Sequence, residues 1–290
     1  MLYAESLNYK NNPNGRVGGL IERGEELNME AVLKYPGAKN RLAEWIISFI
    51  PEHRVYLELF FGSGAVFFNK DPAKIETLND LDGEVYNLFK VIRDRTEEFA
   101  KSLEMTPYSR EEYENAYKKV SAETELERAR KFMVRCWLGM GSSNVYKNGF
   151  RSSQQGNSPK TTKHWGELPD RVLLAAERLK HAQIEKLPAL ELLKRYDTPD
   201  VFIYLDPPYL PGTRKGYLYN IEMTEKDHIE LLKAIKKHPG KVLISGYDND
   251  LYNEILNGWS KAQKQTQAEH GLKRIETAWF NYEKEYQLKF

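Results

Sequence analysis

From Met29 onward the chain alternates short apolar runs with longer stretches whose apolar residues recur at helical spacing. That alternation predicts an α/β fold built on a parallel sheet. Arg41 to Ile50 reads as an amphipathic helix stopped by Pro51, and Val55 to Leu59 as a strand running into Phe60-Phe61-Gly62-Ser63-Gly64. Ile75 to Leu78 predicts a second strand, followed by Asp80 and Asp82 and a helical stretch to about Arg93. The alternation then lapses, with only helical spacing or none, and strand signals return at Ala182 to Lys186, Val201 to Leu205 and Lys241 to Ser245. Ile275 to Tyr282 reads as a closing strand antiparallel to the others. One sheet-bearing domain, residues 29–95 and 179–290, interrupted by a helix-rich insertion at 96–178, accounts for this pattern better than two domains in series. Residues 1–28 are polar and turn-rich and read as a flexible extension.

Composition adds little to that picture. The 290 residues supply ample material for a core, and 41% hydrophobic with 29% charged is ordinary for a globular chain. A formal net charge of +1 means that any nucleic-acid surface must be local. Cys136 is the single cysteine, so no intramolecular disulfide forms and a reducing compartment is expected; its apolar neighbourhood reads as core. No apolar run reaches the roughly 20 residues of a membrane span, and the N-terminus has no secretory pattern. A cytoplasmic location without membrane contact is the expectation. The six histidines, at 53, 164, 181, 228, 238 and 270, show no paired ligand spacing, so no metal is expected.

The chemistry-bearing residues lie just after the predicted strands. Val201 to Leu205 is a continuous apolar run, as in a buried parallel strand, and it ends in Asp206-Pro207-Pro208-Tyr209. Ligands of open α/β sheets bind at the carboxyl ends of such strands. The prolines stiffen the loop and remove backbone donors. The Asp206 carboxylate and the Pro207 carbonyl can then accept the two hydrogens of a ligand amine. An exocyclic amine on a base ring is a poor nucleophile because its lone pair is delocalised. Gripping both hydrogens favours a pyramidal nitrogen able to attack a methyl sulfonium, while Tyr209 offers a stacking face. A plain strand-to-turn junction also fits these four residues. Phe60 to Gly64 fits a tight turn that lets backbone approach a ligand, although a lone G-x-G is weak. Asp80 fits either a ribose-binding carboxylate or a helix cap. Tyr35-Pro36-Gly37-Ala38-Lys39 by itself reads as a turn with a solvated lysine.

Taken in order, Tyr35 to Lys39, Leu57 to Gly64, Asn79-Asp80, a long insertion, Asp206 to Tyr209 and Arg274 to Tyr282 resemble the Dam-type (alpha-group) DNA adenine-N6 methyltransferases. The resemblance covers nearly everything after Met29 and implies a Rossmann-like S-adenosylmethionine-dependent methyltransferase sheet with a helix-rich target-recognition insertion. It implies that Tyr35 and Lys39 contact S-adenosylmethionine. Phe60, Gly62, Ser63 and Gly64 would wrap its methionine end, and Asp80 would hold its ribose. Asp206 would lie between the cofactor and the target amine, beside Pro207, with Tyr209 stacking on the adenine. That family commonly has tryptophan where Tyr35 stands and proline where Leu59 stands. The expected substrate is double-stranded DNA, with the target adenine flipped from the stack. The implied enzyme acts as a monomer, either beside a cognate restriction endonuclease or alone. Amino methylation of cytosine N4, RNA or a protein amide, and a silent DNA-binding scaffold, are the alternatives.

From Arg128 to Gly166 there is no Asp or Glu, while Lys or Arg stands at 128, 130, 131, 135, 147, 151, 160 and 163. Lys and Arg neutralise phosphates and amide side chains read base edges. Arg128, Arg135, Asn144, Tyr146, Lys147, Asn148, Arg151, Lys160 and Lys163 are accordingly the candidate DNA contacts. A basic helix face followed by a solvated loop fits the same stretch, above all at 128–135.

Overall fold

Seven strands, β1 (Val55–Glu58), β2 (Ile75–Asn79), β3 (Ala182–Glu185), β4 (Val201–Leu205), β5 (Lys241–Tyr247), β6 (Ser260–Gln267) and β7 (Lys273–Phe280), form one sheet in the order 3-2-1-4-5-7-6. The computed structural model describes residues 29–141, 146–153, 161–212, 218–267 and 273–284. Strands β1 to β5 are parallel, β7 runs antiparallel to β5, and β6 is antiparallel to β7. The expected closing strand is therefore present and antiparallel.

The helices are α1 (Ala43–Ile47), α2 (Gly83–Asp94), α3 (Thr96–Glu104), α4 (Arg110–Asn115), α5 (Glu125–Leu138), α6 (Thr161–Gly166), α7 (Leu168–Leu179), α8 (Ala189–Arg195), α9 (Glu225–Lys237) and α10 (Asp250–Ile255). Helix α1 is shorter than the predicted Arg41 to Ile50. Its N-cap residue Leu42 offers no side-chain acceptor, and Ser48 bonds back to the Trp45 carbonyl near the other end. Helix α2 starts where Asp82 accepts the Glu84 N–H at 2.9 Å, and α9 starts in a Thr224–Asp227 capping box.

Successive side chains of a strand point to opposite faces, and both faces of this sheet are covered. Tyr56, Phe202, Tyr204, Leu243 and Phe280 join one core with α2, α3, α5 and α7. Leu57, Ile203, Leu205, Val242 and Ile244 join the other with residues of α8, α9 and α10. All of β4 is buried, which is why it reads as one apolar run. The segment 96–178 enters between β2 and β3, and its helices share the first core rather than building one of their own. At the carboxyl edge the chain departs from β1 toward β2 on one side and from β4 toward β5 on the other. Glu58 ends β1 and Asp206 follows β4, so both stand at this switch point, where such sheets bind ligands.

Strand β6, Ser-Lys-Ala-Gln-Lys-Gln-Thr-Gln, was not foreseen. It lies at the sheet edge with mostly exposed, polar side chains. Its ladder with β7 places it, and no apolar alternation marks it.

Candidate active site

A cavity of about 310 Å³ opens at the switch point, within the range of small-molecule sites. The turn after β1 builds one wall. Gly62 has φ +50°, and its N–H donates to Asp80 at 2.8 Å. Asp80 also accepts from the Asp82 N–H at 2.9 Å. One carboxylate thereby ties the glycine turn to the start of α2. Asp82 is both the cap of α2 and the acceptor of the Tyr35 hydroxyl (3.1 Å) and the Asn220 amide (3.0 Å). The helix cap is therefore Asp82 rather than Asp80, and both carboxylates line the cavity.

Tyr35, Lys39, Phe60, Gly62, Ser63, Asp80 and Asp206 line this one cavity, although they come from four separate segments. Gly64 does not line it. Its φ is +70°, and a Cβ there would stand 2.5 Å from the Phe61 ring and 2.6 Å from the Phe68 ring, so it serves the packing beneath the turn. Pro207 and Tyr209 also lie outside the wall, past Asp206. The Tyr209 ring lies against Tyr247, with centroids 4.2 Å apart.

The lining is acidic. Among the described residues it carries Glu58, Asp80, Asp82, Asp206, Glu222, Asp227 and Glu230 against one basic residue, Lys39. Such a wall repels the pyrophosphate of a dinucleotide and attracts a cation. Burial pushes the Glu58 carboxyl up to about 8 and that of Asp80 up to about 7. Glu58 accepts from the Tyr56 hydroxyl at 2.7 Å, which partly offsets the shift. A cationic ligand would restore the charge on both. This acidic wall, with apolar Leu81, Leu187 and Ile221 beside it, fits a cationic ligand such as S-adenosylmethionine.

Lys39 was expected at the cofactor, and the structure ties it foremost to Asp206 and Tyr209 in the loop after β4. Its ammonium is 4% exposed and lies 2.7 and 2.8 Å from the two Asp206 oxygens. It donates to the Tyr209 hydroxyl at 2.6 Å and to the Gly37 carbonyl at 3.2 Å, and Glu276 lies 3.4 Å away. Burial alone would lower its proton affinity, but Asp206 and Glu276 outweigh burial and hold the ammonium well above the usual lysine range. Asp206 also accepts from Ser245 at 3.0 Å. Burial raises its carboxyl, and Lys39 and Ser245 hold that rise back.

Ser245 and Glu276 are site residues that sequence reasoning missed. For Glu276 a signal existed: period two on β7 puts it on the face of Ala278 and Phe280, both core residues, while Ile275 is 45% exposed. A carboxylate pointing inward on a strand is a site signal.

The acid-free stretch 128–166 is not acid-free in space. Arg128 and Arg135 meet Glu84, Arg130 meets Glu112 and Glu127, Lys131 meets Glu123, Lys147 meets Glu114 and Lys163 meets Glu167. Arg135 also donates to the Ala116 carbonyl at 2.9 Å, so it braces α5 against α2 and the end of α4. Arg151 donates to the Gly139 carbonyl at 3.0 Å and to that of Gly141 at 3.5 Å, closing the loop between them. The Asn148 carbonyl accepts from the Tyr113 hydroxyl. Tyr146 is exposed. Asn144 and Lys160 lie outside the described residues. Among those described, Glu30, His164 and Glu167 are close enough to share a metal. The Arg171 guanidinium already contacts all three, which leaves that cluster its own cation.

Comparison with known proteins matches residues 35–270 to the model of the D12 class N6 adenine-specific DNA methyltransferases. A type II methyltransferase of Lactococcus lactis subsp. cremoris is 24% identical over 260 residues, covering 81% of this chain and 87% of that protein. A DNA adenine methylase of Salmonella typhi is 24% identical over 234 residues, 77% of this chain and 83% of its own length. A type II methyltransferase of Methanocaldococcus jannaschii is 22% identical over 271 residues, 81% of this chain and 90% of its own. With an acidic switch-point cavity, the ordered turns around it and a match over most of its length, this chain belongs to the D12 class N6 adenine-specific DNA methyltransferases.

Proposed function

We propose that Asp206 and the Pro207 carbonyl are the acceptors that grip the N6 amine in the adenine methylation that this family carries out. The observation that carries the assignment is the position of Asp206. It is the carboxylate that both lines the acidic cavity and continues into the loop toward Tyr209. S-adenosylmethionine, when bound, supplies an electrophilic methyl group on a cationic sulfur. Asp80 would hold the ribose hydroxyls, Tyr35 and the Phe60 to Ser63 turn the methionine end, and Glu58 would balance positive charge. Asp206 and Pro207 would draw the two amine hydrogens out of the base plane and so free the nitrogen lone pair. Tyr209 would stack on the adenine through the face opposite Tyr247, since rings 4.2 Å apart leave no room between them. Rate then comes mainly from positioning in a water-poor pocket. No residue assigned a role requires a metal.

DNA contact is proposed for the surface around Arg128, Tyr146, Lys147 and Lys163. The Arg128, Lys147 and Lys163 side chains are 44%, 46% and 65% exposed. Exposed ion pairs of this sort are worth little and can exchange a carboxylate for a phosphate. Arg135 and Arg151 are proposed as braces of that surface. Likeness to type II methyltransferases supports a cognate endonuclease as partner, and action on one adenine at a time supports a monomer. Among the described residues no helix is long and apolar enough to cross a membrane.

The test is labelled methyl transfer to several unmethylated bacterial DNAs, followed by nucleoside mass spectrometry. N6-methyladenine is expected. N4-methylcytosine, or no methylated base on any DNA, would contradict the reading.

A further inference from the structure

The Lys39 ammonium has more acceptors than hydrogens. It carries three N–H bonds, and four groups converge on it: Asp206, the Tyr209 hydroxyl, the Gly37 carbonyl and Glu276. The nearest carboxylate is Asp206, whose negative charge is largely cancelled by an ammonium at 2.7 Å in a mostly buried site. A carboxylate so engaged is a weak acceptor for a neutral amine. The base-gripping role assigned above requires that this ammonium give Asp206 up, and a buried lysine cannot be left without an anion.

Among the described residues, Glu276 is the other carboxylate within reach of Lys39 Nζ, at 3.4 Å. It is 2% exposed and enters from β7, across the sheet edge from the loop. Its other contact is the Tyr209 hydroxyl, which donates toward its two oxygens at 3.4 Å each while accepting from Lys39. These are long contacts for a buried carboxylate, so Glu276 is poorly satisfied in the resting arrangement and gains from a closer ammonium. A shift of Nζ by less than about an ångström would bring Glu276 to normal charged hydrogen-bond length, so that Glu276 holds the ammonium while Asp206 turns away.

We propose that Glu276 is a positioning residue that takes the Lys39 ammonium when Asp206 turns to the target amine. This rests on the reading of Asp206 as the amine acceptor. Glu276 is not among the residues that line the cavity; it acts through Lys39 and Tyr209. The Asp206 carboxyl also faces the titratable groups Glu58, Tyr204, Tyr209, Tyr247 and Tyr252. The tyrosines are pushed above their ordinary values and stay neutral through the working range, and Lys39 stays charged. Burial and Asp206 push the Glu276 carboxyl up in turn. Removing Glu276 leaves Lys39 to Asp206 alone, which lowers the pH at which Asp206 ionises.

The experiment measures single-turnover methyl transfer against pH for the full chain with S-adenosylmethionine and duplex DNA. It compares wild type, Glu276→Gln, Glu276→Asp and Asp206→Asn. Glu276→Gln is expected to lose roughly 10- to 100-fold in rate, to change the KM for S-adenosylmethionine less than about threefold, and to move the acid limb to lower pH. Glu276→Asp, which keeps the charge, is expected to recover part of the rate and return the limb toward wild type. A Glu276→Gln rate within twofold of wild type with an unmoved acid limb, while Asp206→Asn is inactive, would overturn the proposal alone. Retained turnover in Asp206→Asn would overturn it together with the assignment of Asp206. If Glu276→Gln does not fold, Glu276→Asp decides: wild-type rate and acid limb would count against the proposal, and a slower rate with a lowered limb supports it.

Discussion

Among the described residues, nearly every cation of the inserted helices has a carboxylate partner, whereas around Asp206 the carboxylates outnumber the cations. Along the sequence the contrast runs the other way. Residues 128–166 look like an uncompensated basic strip, and Asp206 looks like one acid in a loop. Folding brings Glu84, Glu112, Glu114 and Glu123 from upstream segments onto the basic strip. It also gathers Glu58, Asp80 and Asp206 around the cavity that Lys39 lines, and sets Glu276 of β7 beside that lysine. Matched pairs brace packing, while a buried excess of one sign costs stability and is kept where a ligand will balance it. Charge segregation in a sequence is thus a poor guide to surface charge until the partners supplied by other elements are known.

The cavity side of this comparison is sharpened most by Asp80. Asp80→Ala removes the acceptor expected for the ribose and loosens the Gly62 turn. S-adenosylmethionine affinity by calorimetry should fall by about 100-fold, the scale of losing hydrogen bonds to a charged acceptor. An unaltered dissociation constant would leave Asp80 with only its turn-holding role. The insertion side is broken or upheld by Arg135→Met. As a brace, Arg135 leaves Glu84 and the Ala116 carbonyl unsatisfied when removed, at a cost of about 1–3 kcal/mol. The melting temperature should fall by several degrees with little change in DNA affinity. Were Arg135 a phosphate contact, DNA binding would weaken and its salt dependence would become shallower by about one phosphate, with stability unchanged.

The smallest effect concerns pH. Glu58 and Asp80 titrate higher in the fold, at about 8 and about 7, than their ordinary 4.5 and 3.8. The folded state therefore holds more protons than the unfolded chain between these limits, and the ligand-free protein should lose stability as pH rises from about 5 through 8. A thermal-shift series should show a melting temperature a few degrees lower at pH 8.5 than at pH 6. Saturating S-adenosylmethionine should flatten that slope, because the cation stabilises the ionised carboxylates. A slope that persists unchanged with ligand would place these carboxylates outside the cofactor's reach.

Much of the fold was legible because burial on both faces writes itself as continuous apolar strands at Val55, Val201 and Lys241, and because β2 runs into the Asp80 turn. Strand β6 was not legible, since an edge strand held by its backbone ladder needs no apolar alternation. Helix α1 was overextended because apolar spacing ignores the missing N-cap acceptor at Leu42. The site was legible where it depends on residues beside a strand end, as at Asp80 and Asp206. The Lys39–Asp206 pair spans 167 positions, and no local pattern announces that a cofactor candidate will be the counter-ion of the carboxylate after β4. Glu276 could have been found by asking which face of β7 it shares with Phe280.

The central claim is that Asp206, once released by Lys39, is the acceptor that activates the target amine. Single-turnover methyl transfer by Asp206→Asn, with S-adenosylmethionine and duplex DNA both saturating, tests it most directly. The side chain keeps its shape and loses its charge, so cofactor and DNA should still bind while the rate falls by roughly 1,000-fold or more. A rate within about tenfold of wild type would contradict the account, because one neutral acceptor would then suffice and the buried charge around Lys39 would have no part in the chemistry.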